Sequence, residues 1–134
     1  MMLNNSRIVI DYYDGAYGPT IRFDLKSKDD ALVLKALFQQ LTTHAVSRLS
    51  LGEIDGIRVK GVSEFVMCVA PEESEKSLIL RTGTMPRVEW VHSVSGWQRC
   101  EALVQSLIDF EKPAHQYLTK EGVDDALVEV GLNE

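Results

Sequence analysis

The chain has 134 residues, a length that fits one domain able to bury roughly two thirds of its unfolded surface. Hydrophobic residues make up 45% and charged residues 25%, which places it with globular rather than disordered proteins. A net charge of −6 argues against a basic nucleic-acid face, since Lys and Arg neutralising phosphates supply most of such affinity.

In chain order, residues 7–13 are β-branched and aromatic, with Ile8, Ile10 and Tyr12 on one face at period two. Turn formers Asp14 to Gly18 follow, and then residues 19–25 with Ile21, Phe23 and Leu25 on one face, which predicts a hairpin. Ser27 with Asp30 forms a capping box, and Leu34, Leu37, Phe38 and Leu41 trace one buried helical stripe ending near Thr43 to Ala45. Arg48 to Ile54 and Ile57 to Val62, divided by Asp55-Gly56, read as a second hairpin, because that dipeptide suits a tight turn. Phe65 to Val69 extends or follows it, and polar residues 71–76 read as a linker.

The order then recurs. Leu78 to Leu80 is a strand, and Val88, Trp90 and His92 share a face of the next one. Ser95 with Gln98 offers a capping box, with Ser93 as the alternative cap. Cys100, Leu103, Val104 and Leu107 stand 66 residues after the first helix stripe, without a gap. His115 to Leu118 and Ala126 to Val130 close the series as extended segments. Pro19 to Phe23 answers Pro86 to Trp90, and Ile57-Arg58-Val59 answers Leu127-Val128-Glu129. The expectation is a single α+β domain over 1–134, built from two similar strand–strand–helix–strand–strand halves at 7–70 and 77–132. Antiparallel sheet or sheets would carry two helices on one face.

Chemistry-bearing motifs are weak. The glycines do not lead into helices as phosphate-binding loops do, and no His or Cys pair has metal-ligand spacing, so no catalytic residue, metal or cofactor is expected. Cys68 and Cys100 lie in apolar patterns and read as packing residues. With no basic leader ahead of an apolar run and no stretch of about 18 apolar residues, the chain is expected in the cytoplasm, away from membranes.

Two sets of residues remain as candidates. Tyr12, Tyr13 and Tyr17 at the first hairpin, with Glu121, Asp124 and Asp125 near the C-terminus, have the composition of a protein-docking face for a basic partner. Alternatively, Trp90, His92, His115 and Tyr117 line a pocket between the halves, in a small-molecule-binding domain or small enzyme. A third reading is a homo-oligomer that pairs exposed strand edges.

Trp97, Leu103 and Leu107, then His115-Gln116-Tyr117-Leu118, then Asp125 to Val130 resemble the tail of small immunity-type proteins from bacterial polymorphic toxin systems. In those proteins a helix is followed by a strand with a His-rich or His-x-x-Leu element and a final strand of x-Val-Glu-Val form. The resemblance implies a non-enzymatic protein that binds and blocks a cognate toxin, and it carries over no functional residue.

Overall fold

A computed structural model describes residues 7–110 and 112–134. Residues 1–6, read above for a leader, lie outside the described residues. The fold is α+β: the described residues form nine strands in two mixed sheets, with two helices packed against them. β1 (Ile8–Gly15) and β2 (Gly18–Leu25) form the expected antiparallel hairpin, paired from Ile8↔Leu25 to Gly15↔Gly18. Gly18, directly after the Ala16-Tyr17 turn, takes φ +103°, a backbone that a side chain would strain.

Helix α1 (Lys28–Thr42) starts where the capping box puts it. Ser27 accepts from the Asp30 amide at 3.2 Å, and the Asp30 carboxylate accepts from the Lys26 amide at 3.0 Å. Helix α2 (Val94–Asp109) is capped by Ser93, not by Ser95. The reason lies upstream: Glu73 accepts from the Ser93 amide and hydroxyl at 2.7 and 2.9 Å, anchoring the chain two residues earlier. The helices are antiparallel neighbours, since Gln39 reaches Glu101 and Lys35 reaches Gln105.

The five-stranded sheet has the order β4-β1-β2-β9-β8, with β4 at Ile57–Lys60, β8 at Ala114–Tyr117 and β9 at Leu127–Leu132. The four-stranded sheet has the order β3-β5-β7-β6, with β3 at Arg48–Ser50, β5 at Glu64–Val69, β6 at Leu78–Arg81 and β7 at Arg87–His92. Each sheet draws strands from both halves of the chain. Hairpin β1–β2 is extended by β9, from Thr20↔Leu127 to Leu25↔Leu132, and hairpin β6–β7 by β5, from Glu64↔Arg87 to Val69↔His92. Those two joins and the β1/β4 pair run parallel; hence the sheets are mixed, not purely antiparallel.

The hairpin expected around Asp55-Gly56 does not form. Gly56 does turn the chain, at φ +86°, but its carbonyl accepts from the Arg7 and Ile8 amides at 2.8 and 3.0 Å. Those bonds deliver β4 to the edge of β1, while buried Leu51 draws the preceding residues into a 3₁₀ turn (Leu51–Glu53) and β3 pairs with β5. The strand that extends a hairpin as β9 does is therefore β5, and not the Ile57-Arg58-Val59 segment expected to answer Leu127-Val128-Glu129.

The apolar sheet faces and both helix stripes share one core. Phe23 meets Phe65 edge-on at 5.7 Å between ring centroids, joining the sheets, and Phe38 of α1 packs on Trp90 and Trp97 at 6.1 and 5.6 Å. Such aromatic pairs contribute about 1 kcal/mol each beyond their buried area. The opposite face of the five-stranded sheet is left facing outward.

Candidate functional site

Registers across the five-stranded sheet determine what its outward face presents. Ile8, Ile10, Ile21, Phe23, Val128 and Val130 point into the core, so the alternate residues point away. One rung runs Lys60, Asp11, Arg22, Glu129, Tyr117 across the strands. Arg22 donates to Glu129 and, at 3.4 Å, to Glu134, whose other oxygen lies 2.9 Å from His115 Nδ1. Gly131 makes this possible: a Cβ there would run into the Arg22 guanidinium. These contacts hold the Glu134 carboxyl below the usual carboxylate range, the His115 hydrogen bond contributing most.

His115, Glu129 and Glu134 place their donor atoms within 4.8 Å of one another and are the group among the described residues that can gather around a cation. Arg22 already supplies that positive charge, so no metal needs to be invoked.

The next rung, Tyr13, Thr20 and Leu127, ends in an exposed aromatic patch. Tyr17 sits at the hairpin tip, 78% exposed, Tyr117 on β8 is 47% exposed, and Tyr13 is 40% exposed. A groove of about 340 Å³ is lined by Tyr17, Tyr117, Thr119, Glu121 and Leu127. The Thr119 hydroxyl is committed, donating to the Ala126 carbonyl at 3.0 Å and accepting from the Val128 amide at 2.8 Å. Glu121 is thus the ionic group of the groove, and it is exposed. Partial desolvation first, then the nearby Glu129, Tyr17, Tyr13 and Glu134, raises the Tyr117 phenol above its ordinary value.

The docking set therefore divides. Tyr13, Tyr17 and Glu121 meet here. Tyr12 lies on the other side of β1, half-buried against the core. Asp124 and Asp125 turn inward to backbone. Asp124 accepts from the Ser77 and Leu78 amides at 2.6 and 2.9 Å and from the Lys120 amide at 2.8 Å. Asp125 accepts from the Leu80 amide at 2.9 Å and from Lys76 at 2.7 Å.

The pocket set divides too. His115 and Tyr117 are neighbours on the outward face, with rings 5.4 Å apart. Trp90 and His92, on β7 of the four-stranded sheet, are 0% and 2% exposed within the core. His92 Nδ1 lies 2.7 Å from Glu73 and its ring packs edge-on to Trp97 at 4.8 Å, while Nε2 has no partner. Burial pushes the His92 imidazole below its ordinary value, against the pull of Glu73. Burial alone would raise Glu73, but hydrogen bonds from the Ser93 amide, His92 and the Ser93 hydroxyl outweigh it and hold that carboxyl low. Glu73, within the segment 71–76 expected to be a polar linker, is a clamp on the start of α2.

A larger cleft, about 570 Å³, opens between β4, the 3₁₀ turn and β5. It is walled mainly by the polar turn at 50–56, and no exposed aromatic side chain lines it.

Leu127 and Thr119 were missed as lining residues. Leu127 had a signal: it is an apolar residue on the outward parity of a strand whose Val128 and Val130 face the core. Among the described residues, no helix is long and apolar enough to cross a membrane. Comparison with protein-family profiles, curated proteins and solved structures finds no match to this chain.

Proposed function

We propose that this chain is a small acidic binding protein that works in the cytoplasm by covering a surface of a basic protein partner, without a cofactor. The observation that carries the reading is the convergence of exposed Tyr17 and Tyr117, from distant parts of the chain, on a groove whose ionic group is a carboxylate, with exposed Tyr13 near Tyr117. Water-facing tyrosines are costly to cluster unless a partner covers them, and tyrosine combines large contact area with few rotamers to freeze. Net charge −6 adds long-range attraction toward a basic partner and speeds its association. The resemblance of the C-terminal third to immunity-type proteins makes a toxin the partner class we favour. Free Cys68 and Cys100 accord with a reducing compartment.

The test compares capture from native-source lysate by the full chain and by Tyr17→Ala/Tyr117→Ala, with bound proteins identified and quantified. The reading expects one stoichiometric basic protein that the variant loses while its melting temperature is kept. Equal capture by the variant, or recovery only of further copies of this chain, contradicts it.

A further inference from the structure

We infer that the groove beside Tyr117 receives one arginine side chain of the protein partner, with the guanidinium between the Tyr17 and Tyr117 rings and paired to Glu121. This rests on the binding reading above and deepens it by naming the group recognised.

Charge selects a cation. Glu121 makes no ion pair among the described residues. Arg22, on the neighbouring rung of this face, is already engaged by Glu129 and Glu134. Among the residues that line the groove, Glu121 is thus the one charged group, and no lining residue pairs with it. Stacking tyrosines could also take a nucleobase, but its phosphates would meet the carboxylates of Glu121, Glu129 and Glu134, and the net charge of −6 opposes phosphate binding.

Shape selects arginine over lysine. A planar guanidinium can lie against a tyrosine face while its edge donates to a carboxylate, and its methylene stem suits an apolar wall such as Leu127. An ammonium is more tightly hydrated and gives up more on entering an apolar groove. The groove volume, about 340 Å³, lies at the small end of ligand sites, in keeping with one side chain and not a whole peptide. Buried arginines flanked by aromatic rings are also frequent anchors of protein interfaces.

The experiment titrates isotope-labelled full chain with acetyl-Gly-Arg-Gly-amide and with its lysine and citrulline counterparts, following backbone amide shifts. The arginine peptide is expected to give saturable shifts confined to residues near Tyr17, Tyr117, Glu121 and Leu127, with Kd on the order of 10 mM. The lysine peptide should bind several-fold more weakly, and citrulline, isosteric but uncharged, should give no saturable shift. Tyr17→Ala/Tyr117→Ala and Glu121→Gln should each weaken the arginine peptide about fivefold or more at unchanged melting temperature. No localised shift by roughly 50 mM, or an equal response to citrulline, overturns the assignment. If the peptide fails while Tyr17→Ala/Tyr117→Ala still abolishes partner capture, arginine recognition falls and the docking surface stands. If the peptide binds but capture is unaffected, the docking surface falls instead.

Discussion

Replacing Asp124 tests whether it is a structural acceptor or a docking residue. Its carboxylate accepts four hydrogen bonds: from the Ser77 amide and hydroxyl, the Leu78 amide and the Lys120 amide. Ser77 and Leu78 are 5% and 0% exposed, so in Asp124→Ala water cannot readily reach their amides. A buried donor left unpaired costs about 1–3 kcal/mol, whereas the exposed Lys120 amide recovers water. The two buried amides then set the loss at about 3–4 kcal/mol, or roughly 10 °C in melting temperature for a chain of this size. Asp124→Asn keeps an oxygen for Ser77 and Leu78 and disturbs only the exposed bond, so its cost should be about 1 kcal/mol. Urea unfolding followed by far-ultraviolet circular dichroism gives both values, with Glu121→Lys as the surface control, expected within about 0.5 kcal/mol of the parent. Losses below about 1 kcal/mol for both Asp124 variants would refute the view that Asp124 anchors the β8–β9 connection to β6.

Other outcomes follow from the same contacts. His92 has a folded-state pKa below its unfolded value, so the unfolded chain takes up its proton first. Stability should be full above about pH 6.5 and fall as pH drops below it, by at most about 1.4 kcal/mol per pH unit. Unfolding midpoints at several pH values between 7.5 and 5.5 check this, and His92→Asn should flatten the slope; an equally steep slope would exclude His92 as its source. Glu73 contributes in a lower window, its stabilisation present above about pH 4.5 and lost as pH falls further. Gly61→Ala combines φ +86° with a Cβ 2.7 Å from the Tyr12 carbonyl oxygen, whereas Gly122→Ala has φ +79° and open space. The first should cost about 1 kcal/mol or more beyond the second in thermal unfolding; equal costs would mean that the close approach to β1 is relaxed freely. Burial pushes the Cys100 thiol up to about 12, so native protein at pH 8 should leave it unlabelled by an alkylating reagent that labels it in urea, as peptide mapping would show.

The features legible in the sequence are the local ones. Ser27, Asp30 and the Leu34–Leu41 stripe announce α1 because cap and stripe lie within a few residues of each other. The first hairpin is equally local, closed by Gly18 between two alternating runs. Partner choice between strands is not local. Phe23 pairs with Val130 and Trp90 with Met67 through parallel joins that no turn residue encodes. The Asp55-Gly56 pair specified a turn correctly but not the strand that follows it, whose course depends on amides of residues 7 and 8. Ser93 outcompetes Ser95 as a cap because of Glu73, twenty residues upstream. The same division runs through the site. Tyr13 and Tyr17 stand out in any reading of the hairpin, but Tyr117 joins them only because β9 lies between β2 and β8. Glu121 and Asp124 look alike in a run of acids; what separates them is that one carboxylate meets solvent and the other meets backbone amides.

The most direct test of the account is amide hydrogen exchange on the complex with the captured partner, compared with the free chain. The account predicts added protection at the β1–β2 hairpin tip around Tyr17, along β8, and through Thr119 to Leu127, with the β4 and 3₁₀-turn cleft unchanged. Protection confined to that cleft, or to the four-stranded sheet, would contradict the assignment of the tyrosine groove as the binding surface.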